Sequence, residues 1–209
     1  MSFRIVVRNA LSLLSANAIS KVVGFAVTVL LVRYLGVEEI GRYTYFTTYA
    51  ALFAVVSNFG LYLVLARQVA AERRDANAQL GTVLLLQALL SPLALMVTMG
   101  TALAFHPASE ILLIALSGVG VILASVAGTY GAVVTGHQKI HLNAAVSVGM
   151  VMLWGLLVLG LIALRLGVLA LIILFVIHKL VNVSALRLVC QRACRVTPRY
   201  DLQGLPVRG

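Results

Sequence analysis

Apolar residues in this chain neither alternate nor form a one-sided helical stripe. They run on in stretches of twenty or more, and polar residues are confined to short gaps. About 20 predominantly apolar residues carry a helix across roughly 30 Å of hydrocarbon. A helix that is apolar on every side must be buried in lipid or protein. Six such spans are legible, at 10–32, 43–66, 81–105, 111–134, 144–164 and 168–188. Turn-formers punctuate the gaps: Gly36 and Gly41, the pair His106-Pro107, Gly136 and Gly167. The pattern predicts an all-α polytopic membrane protein. Residues 1–188 are expected to form a six-helix transmembrane lobe, followed by a basic cytoplasmic segment, 189–209.

Composition sharpens this picture. The chain has 209 residues, of which 62% are hydrophobic and 11% charged; its mean hydropathy is +1.06. Soluble domains carry about 25% charged residues. Six spans with short loops use nearly the whole length and leave no room for a soluble catalytic domain. The chain holds no glycine-rich phosphate loop with a lysine, no nucleophile elbow and no paired carboxylates. It does not read as an enzyme, and neither a cofactor nor a metal site is indicated.

The net charge of +10 would suggest nucleic acid until the charges are placed. They lie at span ends, so no nucleic-acid partner is called for. With the N-terminus in the cytoplasm, eleven cations fall inside: Arg4, Arg8, Arg67, Arg73, Arg74, Lys139, Arg187, Arg192, Arg195, Arg199 and Arg208. Only Arg33, Arg42 and Arg165 fall outside. That is the positive-inside bias of a multi-pass protein of the cytoplasmic (inner or plasma) membrane with both termini in the cytoplasm. No cleavable signal is evident. Tyr34, Tyr43 and Tyr45 cluster at the proposed outer interface, where they belong either to an aromatic belt or to packing between helices.

Two cations remain, and both fall inside spans. Lys21 is near the middle of span one and Lys179 near the middle of span six. A central lysine costs about 2.5–3.5 kcal/mol on insertion scales. No Asp or Glu lies within a span, so neither has an acidic partner there. A basic, acid-free interior suits an anionic substrate better than a proton or sodium relay, which needs Asp, Glu or His. Helical spacing puts Asn17, Lys21, Gly24 and Thr28 on one face of span one, and Lys179 and Asn182 on one face of span six. Asn58 and Gly60 interrupt span two. These residues are the candidate substrate contacts: Lys21, Asn17, Thr28, Asn58, Lys179 and Asn182. His178 is turned about 100° from Lys179 and reads as an interhelical packing residue.

Other features read as structural. Gly120, Ala124, Gly128 and Ala132 recur every fourth position in span four and would let a neighbour approach closely. Pro92 would kink span three. His137 and His141 flank a short loop at a spacing that could put two imidazoles on one helical face, but without the glutamate of a zinc hydrolase or a third ligand. Cys190 and Cys194 are placed in the basic tail and make neither a disulfide framework nor a zinc site.

The first two spans also carry a resemblance. The run SLLSANAISKVVGF from Ser12 leads to LVRYLGVEEIGRY from Leu31; span two then contains SNFGL from Ser57 and closes on ARQVA from Ala66. This resembles the polysaccharide-biosynthesis flippases of the O-antigen type, within the multidrug/oligosaccharidyl-lipid/polysaccharide exporter superfamily. Their first loop reads approximately Arg-Tyr-Leu-Gly-x-Glu-x-x-Gly, matched here by Arg33, Tyr34, Leu35, Gly36, Glu38 and Gly41. GHQKI from Gly136 resembles their loop before span five. The likeness is specific in the first 75 residues and diffuse after about residue 80.

The resemblance implies a MATE-like two-lobe transporter of polyprenyl-pyrophosphate-linked oligosaccharide for surface polysaccharide such as lipopolysaccharide. Two six-helix lobes would alternate a central cavity between the membrane faces. It implies that Lys21 lines the cavity and that Arg33 and Glu38 lie at the outer mouth. Its partners would be the polyprenyl-linked glycan, membrane lipids and a second six-helix lobe, supplied by a missing C-terminal half or by a dimer partner. Residues 189–209 would then begin the inter-lobe linker, and this chain would be a half-length or truncated form. The alternatives are a peptidoglycan-precursor flippase or multidrug antiporter of the same superfamily, or a membrane scaffold subunit without transport of its own.

Overall fold

The computed structural model describes the backbone of residues 3–58, 60–71 and 75–199, with side chains from Ala18 onward except 56 and 57. Six helices account for nearly all of it: α1 Phe3–Asn58, α2 Leu61–Ala70, α3 Ala76–Phe105, α4 Ala108–Gly136, α5 Ile140–Ala163 and α6 Val168–Ala193. No strand is present among the described residues. Five helical stretches are long and apolar enough to cross a membrane: Ala18–Val55 within α1, then α3, α4, α5 and α6. The protein is an all-α polytopic membrane protein.

Span one and span two are a single hydrogen-bonded run broken at one residue. Gly36 has φ 86° and ψ 165°, a conformation that essentially only glycine adopts. The expected 33–42 loop is therefore replaced by helix on both sides. Arg33, Glu38, Glu39 and Arg42 are all compatible with helix, and Gly41 stays helical. The two arms run in opposite senses. The first arm packs beside α5, with Val27 against Gly155 and then Leu31 in one cluster with Val158 and Leu161. The second descends antiparallel to α3: Phe46 shares a cluster with Ala102, and Ala50 and Ala54 lie with Thr98 and Ala94 around one crevice.

Span two extends past its expected end at 66 but is not continuous. Helix α1 stops at Asn58 and α2 starts after Gly60, whose φ of 73° is left-handed. Helix α3 starts earlier than expected, at Ala76, because Asp75 caps it by accepting the Asn77 N–H. Pro92 lies inside α3, which remains continuous. Helix α6 runs five residues beyond the expected 188, to Ala193. Cys190 is thus a buried helical residue rather than part of the tail.

Helix α4 is the axis of the bundle. It touches α1, α2, α3, α5 and α6, most extensively α6. Small residues make this possible, partly at the expected positions: Gly120 is a close approach as expected, Gly128 is not, and Gly118 and Gly136 add to it. A Cβ on Gly118, Gly120 or Gly136 would meet Leu95, Phe175 or Val69 within 3 Å, whereas Gly128 is exposed and faces open space. One core cluster lies at the end bearing the α6 C-terminus and joins Leu65, Leu80, Val133, Val134 and Leu186. Another lies at the Gly36 end and joins Phe46, Ala102, Ile114 and Ile172.

Gly36→Ala should lower stability by about 1–3 kcal/mol, because alanine must enter a glycine-only conformation. Gly128→Ala, in open helix, should be neutral or raise it by about 0.5–1 kcal/mol. Denaturant titration of the two variants in mixed micelles checks the pair.

Candidate functional site

Depth along the bundle can be read from helix contacts. A Cβ on Gly155 of α5 would lie 3.4 Å from Val27 of α1. Lys21, six residues earlier on the parallel arm, is therefore level with residues near 149. The His178 ring of α6 bonds the Met150 carbonyl at 3.0 Å. Lys179 is its next neighbour, so the two lysines sit at one depth on different helices. That depth is roughly 22 Å along α1 from Gly36 at 1.5 Å per residue.

Lys179 is half-buried, with its ammonium 5.1 Å from the centroid of Phe175. Phe175 is itself wedged. Its ring edge meets Gly120 on α4, where even a methyl group would clash at 2.4 Å, and Tyr43 of α1 packs T-shaped against it with centroids 6.1 Å apart. A cation–π contact is worth about 0.5–2 kcal/mol, less than the 2.5–3.5 kcal/mol cost of a central lysine. The aromatic contact alone does not hold this charge in hydrocarbon. Asn182, one turn further along α6, is also half-buried.

Lys21 is exposed, turned roughly 100° from the buried Val27–Leu31 stripe of α1. Thr28 shares its exposed side and donates to the Gly24 carbonyl at 2.9 Å, so its hydroxyl is satisfied locally. The side chain of Asn17 lies outside the described residues. Asn58 ends α1 at the break, and its buried Oδ1 has no hydrogen-bond partner among the described residues. No hydrogen bond or ion pair among the described residues joins Lys21, Lys179, Asn58 and Asn182 to one another.

At the Gly36 end, Arg33 and Glu38 are both exposed. The ion pairs form one residue along from Glu38 and nine from Arg33. Arg42 reaches Glu39 at 3.2 Å and Glu110 of α4 at 3.6 Å, while its guanidinium lies 6.0 Å from the Phe46 ring. Beside it, the Tyr45 hydroxyl bonds His106 Nε2 at 2.8 Å, and the Tyr49 hydroxyl donates to Thr101 at 2.7 Å. Tyr43 packs between helices against Phe175, and Tyr45, half-exposed, packs on Phe46, Tyr49 and His106. A hollow of about 510 Å³ opens next to Tyr45, lined by Val32, Val37, Ile40, Thr44 and Thr48.

His137 and His141 do not pair, whereas two other polar contacts tie helices together. His137 caps α4 and bonds the Val133 carbonyl through Nδ1 at 2.9 Å; His141 lies in the first turn of α5. They are on separate helices, so the shared face does not exist. His178 ties α6 to α5 and packs on Trp154 at 5.2 Å, the interhelical role expected of it. Gln87, 1% exposed, accepts from the Thr129 hydroxyl at 3.0 Å between α3 and α4. Glutamine and threonine deep in apolar runs were the available signal for that contact.

The chain matches the family described as "Polysaccharide biosynthesis protein" over residues 6–199. No curated protein and no solved structure matches it.

Gly120→Val should force Phe175 off α4 and remove the aromatic face beneath Lys179. Overpacking of this kind costs about 1–3 kcal/mol. Loss of near-ultraviolet dichroism from the Tyr43–Phe175 contact, together with a lowered unfolding midpoint, is the expected readout.

Proposed function

The chain belongs to the polysaccharide biosynthesis protein family, and from that premise we propose that it forms one lobe of a flippase. Its substrate is a polyprenyl-pyrophosphate-linked oligosaccharide, moved across the cytoplasmic membrane for surface polysaccharide synthesis, with both termini in the cytoplasm. A second six-helix lobe, in the same polypeptide or in a partner copy, closes the other side of a central cavity. Transport, rather than bond-making, is the activity.

One observation carries this reading: two lysines at one depth in an apolar bundle, with no carboxylate beside either. The described acidic residues are Glu38 and Glu39, just past the Gly36 break in α1, and Asp75 and Glu110, at the starts of α3 and α4. Lys21 and Lys179 supply the charge that a pyrophosphate requires, and Thr28, Asn58 and Asn182, with Asn17, supply neutral polar groups along the path. Arg33 and Glu38 stand at the outer mouth, beside the Arg42 pairs. The same lack of acids disfavours a cation-coupled drug antiporter, which needs a titrating carboxylate in the membrane.

Trp154, the single tryptophan, packs on His178 next to Lys179 and reports on this site. In detergent, farnesyl pyrophosphate should change its fluorescence saturably and farnesol should not. Lys21→Gln and Lys179→Gln should each weaken binding about tenfold, equivalent to about 1.4 kcal/mol. Equal responses to farnesol and farnesyl pyrophosphate, or unchanged affinity in both variants, would refute the headgroup site.

A further inference from the structure

The chain does not leave the bundle when α6 ends. Arg195 adopts a left-handed φ of 56°, which costs a non-glycine residue about 1–2 kcal/mol. The reward follows at once. Val196 turns inward, 4% exposed, into the cluster that holds Leu80 and Cys190. Its N–H donates to the Cys190 carbonyl at 3.3 Å, and the Cys190 thiol donates back to the Val196 carbonyl at 3.7 Å. The Lys139 ammonium, from the α4–α5 turn, donates to the Ala193 carbonyl.

Beyond Val196 the segment is held by the start of α3. The Thr197 N–H donates to Asn77 Oδ1 at 2.8 Å, and the Arg199 N–H donates to the Asn77 carbonyl at 3.0 Å. Asn77 is itself oriented by Asp75, whose Oδ1 accepts from both Asn77 nitrogens at 3.0 and 2.8 Å. The backbone then runs so close to Gly81 that a Cβ there would lie 2.1 Å from the Arg199 carbonyl oxygen. Asn77 holds the strap through two backbone N–H groups, those of Thr197 and Arg199, and Gly81 leaves the space it occupies.

We propose that residues 194–199 are a clasp that locks the start of α3 to the end of α6. The inference is independent of the transported substrate. It makes this end of the bundle one rigid body and turns a segment that reads as linker into part of the lobe.

Limited trypsin digestion of the full chain in lipid nanodiscs tests it at the Arg195–Val196 bond. Cleavage there requires Val196 to leave the core, so its rate follows the opened population. Asn77→Ala removes a side-chain acceptor and Gly81→Val displaces the strap. Each should speed cleavage at this bond roughly five- to tenfold, as expected for loss of one or two hydrogen bonds. Cleavage after Arg67 should stay at its wild-type rate, which separates release of the strap from general unfolding. Gly128→Val, a matched change in open space, should leave both rates unchanged. The clasp is overturned if wild type is cut at Arg195 as fast as Asn77→Ala and Gly81→Val, or if Gly128→Val accelerates cleavage equally.

Discussion

Inside hydrocarbon there is no water to satisfy a free amide or carbonyl, so the backbone must bond to itself. Almost every feature of this bundle follows from that constraint. The helices run as long as they can, and the chain departs from helix only where another group takes over the hydrogen bond or where the ends reach polar surroundings. At Gly36 a single residue carries the whole reversal, and helix resumes at the next. At Asn58 and Gly60 the ladder is interrupted and restarted within three residues, with Gly60 supplying its carbonyl to Leu63 and Val64. At Asp75 and His137 side chains take over. Asp75 accepts from the first turn of α3, and His137 bonds the last turn of α4.

Once the backbone is satisfied, the helices still need a reason to associate. Lipid tails are as apolar as leucine, so burial against another helix gains little over burial in lipid. Close approach and interhelical polar bonds remain. Helix α4 supplies the first through Gly118, Gly120 and Gly136, which accept Leu95, Phe175 and Val69 where a methyl group would not fit. The second comes from pairs that each span two helices: Thr129 with Gln87, His178 with the Met150 carbonyl, Tyr49 with Thr101. Each is worth about 1 kcal/mol, and they lie at different levels, so together they fix the rotation of each helix about its own axis.

Helix type and number were legible because apolar runs of this length have one solution in a membrane. The corners were harder. Arg33, Glu38, Glu39 and Arg42 look like a loop by polarity, yet they favour helix, and only the φ of Gly36 breaks it. The α6 terminus was misjudged for the same reason, since Arg187 and Arg192 are polar but helix-compatible. The candidate site was partly legible. That Lys21 and Lys179 are central followed from counting residues; that they share one depth required knowing which residues of α5 meet α1 and α6. The Phe175 platform had no local signal, because its partner Gly120 is 55 positions away in sequence. The strap at 194–199 was invisible for a related reason: its anchor, Asn77, is distant in sequence and would otherwise read as one more polar residue at a helix start.

The two lysines are best understood through what the bundle withholds from them. Arg42, by contrast, has Glu39, Glu110 and the face of Phe46. Lys179 has an aromatic face and Lys21 has no described partner. Carboxylates could have been placed beside them by single changes, and an ion pair there would offset much of the desolvation cost. It would also neutralise the site permanently. A cation left without an internal counterion at mid-depth keeps its attraction for an anion that arrives and departs, and the low dielectric that makes the lysine costly also strengthens that attraction. The two lysines stand on α1 and α6, which touch each other and share α4 and α5 as neighbours, so an anion drawn to both would meet one packed unit.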